Sequence, residues 1–169
     1  MVIFDVPQRR ASERVKLRRY LRDRGFGYLQ NSVWVTPDPL QNERDLIDGE
    51  SVNVESLILL EARPCAGESD EEIVLGSWNF EAINKRYAAH SEILSQRPRQ
   101  RLDNNPVAAK AFQRWLGCER LAWIAAVSLD PLLPGFLHPS DYRGVRAFNR
   151  RLEVMSDVGE QLRKARISH

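Results

Sequence analysis

The chain has 169 residues, of which 43% are apolar and 28% charged, and its formal net charge is +2. This composition is typical of a globular protein and excludes a disordered or a fibrous chain. The longest charge-free apolar stretch near the middle, residues 121–129, is too short to cross a bilayer, and no apolar leader precedes Asp5. We therefore expect a cytoplasmic protein that keeps Cys65 and Cys118 reduced.

The charges are distributed in blocks along the chain. Residues 9–24 carry eight basic and two acidic side chains, whereas residues 38–72 carry eleven acidic and two basic ones. Such blocks indicate either a nucleic-acid surface or complementary packing between subunits. The net charge of the whole chain is too small to choose between the two.

The chain opens on an apolar run, residues 2–6, which contains one aspartate and predicts a strand. Residues 11–24 follow with helical spacing, because Leu17 and Leu21 fall on one side of a helix. Ser12 is the predicted cap of this helix.

An aromatic hairpin comes next, with strands predicted over residues 26–29 and 33–35. A short helix over residues 40–47 and a strand over residues 52–60 complete the series strand, helix, strand, strand, helix, strand. This is the split βαβ order of a ferredoxin-like domain, which we assign to residues 1–63.

The second half of the chain changes character, because its apolar residues recur at helical spacing. Residues 64–72 predict a linker. Helices are predicted over residues 81–96 and 107–127, and a last one runs from a cap at Ser140 or Asp141 to about Ala165. The predicted fold class is therefore α+β, a ferredoxin-like domain followed by a mainly helical domain over residues 73–169.

Short motifs in both halves resemble one family. In the first half they are Phe4-Asp5-Val6-Pro7, Arg18-Arg19-Tyr20-Leu21-Arg22 before Gly25-Phe26-Gly27, and Ser32-Val33-Trp34-Val35. In the second half they are Trp78-Asn79-Phe80, Asp130-Pro131-Leu132-Leu133-Pro134 and Asp141-Tyr142-Arg143-Gly144. They are similar to the central and C-terminal domains of the PaaX family, bacterial repressors of phenylacetic acid degradation genes. Tyr142 stands where that family usually has tryptophan.

The resemblance implies a transcriptional regulator and not an enzyme. Complete family members also carry a DNA-binding winged helix domain, which we do not find in this chain. An aryl-acyl coenzyme A thioester is the implied effector, and no cofactor or metal is implied. We expect a homodimer that pairs through the ferredoxin-like half, by a strand edge or by the face that carries Trp34.

Two other functions stay open. The first half also resembles the small ferredoxin-like endonuclease and spacer-integration subunit of CRISPR systems, in which an aspartate matching Asp5 is associated with a divalent metal. A carboxylate suits Mg²⁺, but phosphodiester chemistry normally needs more than one such group. The third possible function is that of a protein-interaction module that makes a separate DNA-binding protein dimeric.

Two sets of side chains are candidates for binding. Arg18, Arg19 and Arg22 lie opposite the apolar side of the first helix and could contact nucleic-acid phosphates. A solvated face, or one that meets the acidic region 38–72 of a partner subunit, is the simpler explanation. The aromatic candidates for an aryl or adenine group in a ligand pocket are Trp34, Trp78, Tyr87, Trp115 and Trp123. Aromatic residues at helical spacing also belong to ordinary cores.

Overall fold

The computed structural model describes residues 1–40, 56–65, 67–99 and 106–167. It has the predicted α+β fold class, with an antiparallel sheet followed by helices. Contacts divide the chain into two compact units. We call Met1–Phe80 with Pro131–Ser140 the sheet unit, and Glu81–Asp130 with Asp141–His169 the helical unit. The division into domains 1–63 and 73–169 joined by a linker stays a prediction.

The sheet has the predicted ferredoxin-like topology. Its strands are β1 (Val2–Asp5), β2 (Gly27–Gln30), β3 (Val33–Val35) and β4 (Ser56–Leu59). They pair in the order β2-β3-β1-β4, and all three pairings are antiparallel. The crossover from β1 through the first helix leaves β2 one strand position away from β1, and β3 lies between them. The predicted helix 40–47 and the start of the predicted strand 52–60 lie outside the described residues.

The core of the sheet unit lies between the sheet and the first helix, α1 (Ala11–Asp23). Val2 and Phe4 alternate with outward-facing residues along β1, so both point to the same side. Leu17 and Leu21 are one helical turn apart and fully buried against them. Burial stabilises each such leucine by about 1.5–3 kcal/mol, which ties α1 to the sheet.

The predicted cap at the start of α1 is wrong, whereas the predicted end of the helix is confirmed. Ser12 is not the cap, because the helix begins one residue earlier and its capping residue is Arg10, whose side chain makes no capping hydrogen bond. Gly25 does end the helix: its φ of 80° is in the left-handed region, which glycine adopts without strain.

A further helix, α2 (Asp70–Ser77), begins inside the predicted linker. Ser69 caps it in a capping box, in which the Ser69 hydroxyl accepts from the Glu72 amide at 3.2 Å and the Glu72 carboxylate accepts from the Ser69 amide at 2.8 Å. Donation from the Ser69 backbone holds the pKa of Glu72 below its ordinary value. The helix packs against β2.

The helical unit contains α3 (Phe80–Ser95), α4 (Pro106–Val127) and α5 (Gly144–Ile167). The first two match their predicted bounds within one residue, whereas α5 begins three residues after Asp141. Their shared core is formed by Leu94, Phe112, Trp115, Val154 and Val158. Within the described part of the chain, no helix combines the length and the apolar character that crossing a membrane requires.

Gly27 of β2 lies close to the end of α2. A Cβ atom at this position would lie 2.7 Å from the Ser77 Cβ and 2.7 Å from the Trp78 ring. The ring cannot simply swing away, because its Nε1 donates to the Gly25 carbonyl at 3.0 Å.

We therefore expect Gly27→Ala to lower the free energy of unfolding by about 1–3 kcal/mol through overpacking. Gly117→Ala is the matched control: nothing lies within 4 Å of its added Cβ, and it sits in the interior of α4. That control should raise stability by about 0.5–1 kcal/mol. Urea denaturation gives the free energy of unfolding of both variants. Equal changes at the two glycines would contradict the close approach at Gly27.

Candidate functional site

The five aromatic residues predicted for a ligand pocket have different surroundings. Trp34 is buried in the core of the sheet unit, and Trp115 is buried in the core of the helical unit, where its Nε1 donates to the Ile93 carbonyl at 2.8 Å. Tyr87 and Trp123 belong to one ring cluster, with centroids 6.0 Å apart. Of the five, Trp78 lines a cavity.

This cavity is an open groove of about 580 Å³ within the sheet unit. Its walls come from β2, from the segments that follow β3 and β4, from α2 and from the segment that contains Phe136. The apolar lining includes Leu29, Val35, Leu60, Ile73, Trp78 and Phe136. A concave, mainly apolar site of this size is typical of small-molecule binding.

The charges around the groove are mainly negative. Three carboxylates line it, those of Asp38, Glu61 and Asp70, against one guanidinium, that of Arg63. Met1 also lines the groove, and its amino group donates to the Leu60 carbonyl at 2.7 Å. Partial burial lowers the pKa of this amino group, and the nearby Glu61 acts in the opposite direction. Apolar groups suit the floor of the groove, and the Arg63 guanidinium could compensate the charge of an anionic group.

Asp5 lies at the end of β1, exposed and opposite Ser56 of β4. The described residues contain no group of three or more histidine, cysteine, aspartate or glutamate side chains that could hold a metal ion. Asp5 therefore has no carboxylate cluster around it in the described part of this chain.

The three predicted arginines differ in exposure. Arg19 and Arg22 are exposed on α1, whereas Arg18 is half-buried and its guanidinium lies 6.0 Å from the centroid of the Tyr28 ring. A guanidinium at this distance is within reach of an attraction to the aromatic face. The role of all three arginines at nucleic-acid phosphates stays a prediction.

A cluster that sequence reasoning missed surrounds Asp130, which is buried three residues after the end of α4. The same carboxylate oxygen, Oδ2, accepts from the hydroxyls of Tyr87 and Tyr142, the latter at 2.5 Å. Burial raises the pKa of both tyrosines above its ordinary value, and donation to the Asp130 carboxylate raises it further. The two aromatic residues are held as neutral donors.

Asn84 lies one helical turn before Tyr87 on α3 and holds the second end of the segment that joins α4 to α5. Its Nδ2 donates to the Asp141 carboxylate at 3.1 Å and to the Asp141 carbonyl at 3.2 Å, and its Oδ1 accepts from the Arg143 amide at 2.9 Å. Both ends of the segment between α4 and α5 are therefore bonded to α3. The motifs that contain Asp130 and Tyr142, which carried the family resemblance, thus anchor this segment to α3.

A second buried polar group joins the three helices of the helical unit. Glu119 accepts from Arg151 Nε at 2.6 Å and lies 3.0 Å from His90 Nε2. The Arg151 guanidinium also lies 4.8 Å from the centroid of the Trp123 ring. The Glu119 and His90 side chains are both buried, and neither lines the groove of the sheet unit. The Glu119 carboxylate accepts from a guanidinium on another helix, as a buried charge requires.

The Asp130 cluster predicts a specific dependence on pH. Tyr142→Phe removes a hydrogen bond to a buried carboxylate, so we expect a loss of about 1.5–3 kcal/mol in the free energy of unfolding near neutral pH. Tyr28→Phe, at an exposed tyrosine of the sheet unit, is the matched control and should cost much less.

The folded-state pKa of Tyr87 and Tyr142 is raised, so their contribution to stability is complete below about pH 10, the ordinary pKa of tyrosine. It is lost as pH rises further, because the unfolded chain releases these protons first. Urea denaturation between about pH 9 and pH 11 should show a shallower fall for Tyr142→Phe than for the unmodified chain. If the free energy of unfolding fell equally with pH in both proteins, the hydrogen bond from Tyr142 to Asp130 would be contradicted.

Comparison with solved structures supports the fold along the chain. The structure of the uncharacterized protein Rv0674 from Mycobacterium tuberculosis aligns with a TM-score of 0.62 at 19% sequence identity, covering 98% of this chain and 62% of that chain. At this identity the likeness concerns the fold alone. The present chain spans 62% of the length of that protein.

Sequence comparison concerns the first half of the chain. No curated protein sequence matches the chain. The family model described as the PaaX protein central Cas2-like domain matches residues 1–74, the part of the chain that contains the ferredoxin-like sheet and the beginning of α2. Residues 1–74 therefore carry the pattern of the PaaX central Cas2-like domain, as the sequence resemblance predicted.

Proposed function

We propose that this chain belongs to a PaaX-like transcriptional regulator and supplies its dimerisation and effector-binding portion, without catalytic activity. The observation that carries this proposal is the match of residues 1–74 to the PaaX central Cas2-like domain, together with the ferredoxin-like strand order. The contacts of Glu119 with His90 and Arg151 are consistent with it, because they join the three helices of the helical unit.

The groove of the sheet unit is the proposed effector site. Its apolar floor suits the aryl-acyl part of a coenzyme A thioester, and Trp78 and Phe136 offer aromatic surfaces. Asp38, Glu61 and Asp70 disfavour phosphates inside the groove. We therefore place the phosphates of the effector beyond the rim, with Arg63 as the basic side chain that can meet one of them.

Phe136 allows a direct test, because 83% of its surface is exposed and its removal leaves no hole in a core. Phenylacetyl-coenzyme A should raise the melting temperature of the chain, and Phe136→Ala should weaken its binding about tenfold, or about 1.4 kcal/mol. Leu121→Ala, at an exposed position that does not line the groove, is the control and should bind normally.

Free coenzyme A separates recognition of the aryl group from recognition of the nucleotide. It should shift the melting temperature less than the thioester does, since it lacks the part that the groove accommodates. Equal shifts with both compounds, or no shift with either, would contradict the proposed effector site.

The nuclease alternative has one observation in its favour, the exposed Asp5 at the end of β1 in a Cas2-like domain. Its test is cleavage of single- and double-stranded RNA and DNA with Mg²⁺ or Mn²⁺. We expect no cleavage, and therefore no difference between the chain and its Asp5→Asn variant. Metal-dependent cleavage that disappears in Asp5→Asn would overturn the proposed regulator and indicate an enzyme.

Association with DNA belongs to the same proposal in a limited form. Arg19 and Arg22 could add contacts to phosphates, which position a protein on a duplex but read no bases. In this proposal, sequence recognition comes from a winged helix domain or a partner protein. Dimerisation through the Trp34 face loses support, because that ring already packs in the core beneath α1, so a strand edge remains the route through the sheet unit.

A further inference from the structure

The groove of the sheet unit has two features that favour the same kind of chemical group. Its apolar lining includes two aromatic rings, those of Trp78 and Phe136, and its charged lining contains three carboxylates and one guanidinium. Aromatic rings attract a cation through their negative faces, and carboxylates attract it through their charge. Both features therefore favour an ammonium group over a carboxylate.

The three carboxylates of the groove differ in how they are held. Glu61 lies near the Met1 amino group, which offsets part of its charge. Asp38 is exposed in the segment that follows β3. Asp70 is the first residue of α2, and the capping box at Ser69 holds the start of that helix. Asp70 is therefore the carboxylate of the groove that belongs to a regular element, and such elements position a side chain more precisely than loops do.

Asp70 lies on the side of α2 that forms a wall of the groove. Ile73 and Val74 come three and four residues later, and residues with this spacing are neighbours on a helix surface. Trp78 directly follows the helix, and all four residues line the groove. Glu71, the next residue after Asp70, does not line it. One wall thus carries a carboxylate, two aliphatic side chains and an indole ring.

We propose that the groove selects aryl-acyl groups whose ring carries an alkylamine, and that Asp70 is the specificity-determining residue that accepts from the ammonium. The inference rests on the proposed function, because it takes the groove as the effector site, and it adds the substituent that this site prefers. A hydrogen bond from an ammonium to a carboxylate is stronger than one between neutral groups. A ring hydroxyl would therefore gain less, and a ring carboxylate would be repelled.

The first experiment compares thioesters by isothermal titration calorimetry with the full chain. The ligands are phenylacetyl-coenzyme A and its derivatives with an aminomethyl or a carboxyl group on the ring, each as the meta and the para isomer. Near neutral pH the aminomethyl group is charged, as an alkylamine is. The better aminomethyl isomer should bind about threefold more tightly than phenylacetyl-coenzyme A, and both carboxyl isomers about threefold more weakly.

The second experiment assigns the preference to one side chain. Asp70→Asn should remove most of the difference between the aminomethyl and carboxyl derivatives and should change the affinity for phenylacetyl-coenzyme A by less than about twofold. Glu71→Gln is the matched control, because it removes the same charge from the same turn of α2 at a position outside the groove. Both variants lose a negative charge at the start of the helix, so any effect on the helix itself is shared. The control should keep the preference.

The remaining outcomes separate this inference from the proposed function. Equal affinity for the aminomethyl and carboxyl derivatives would overturn the selectivity, and equal effects of the two variants would overturn the role of Asp70. Either result would leave the effector site standing, because phenylacetyl-coenzyme A would still bind. If no thioester binds, the effector site fails, and benzylamine and benzoate then test the groove itself. Benzylamine should shift the indole NMR signal of Trp78 and benzoate should not, and a groove that responds to neither would overturn the inference.

Discussion

The buried carboxylate of Asp130 is the contact on which the connection between α4 and α5 depends. It binds two hydroxyl groups, one from α3 and one from the residue that precedes Arg143, so it joins both ends of the connection. A carboxylate with two buried donors is well satisfied, whereas the same group without them would be costly to bury. Asn84 adds bonds at the second end. The ten residues between these anchors, Pro131–Ser140, then pack as part of the sheet unit.

Much of the fold could be predicted because its signals are local. The alternation of Val2 and Phe4, and the helical spacing of Leu17 and Leu21, each describe one face of one element, and burial follows from that face. The left-handed position at Gly25 is equally local. Strand order was added by the ferredoxin-like pattern, which fixes the pairing once the element order is known.

The features that were missed depend on residues far apart in the chain. Glu119 is charged and gives no sign of burial, yet Arg151 and His90 compensate it from other helices. The aromatic candidates shared only a residue type, and the structure distributes them between two cores, a ring cluster and the groove. The helix α2 did have a local signal, the Ser69 and Glu72 capping box, but it lies in an acidic stretch that reads as a linker.

The unit defined by contacts is not one continuous piece of sequence. Phe136 and Leu137 line the groove, although they lie more than fifty residues beyond the end of the matched domain at residue 74. A fragment that ends at residue 74 would therefore lack part of the wall of this groove. In the intact chain, that wall is a short bridge whose two ends are bonded to α3. Residues 131–140 therefore have to be kept in any shortened version of the chain that is meant to retain the groove.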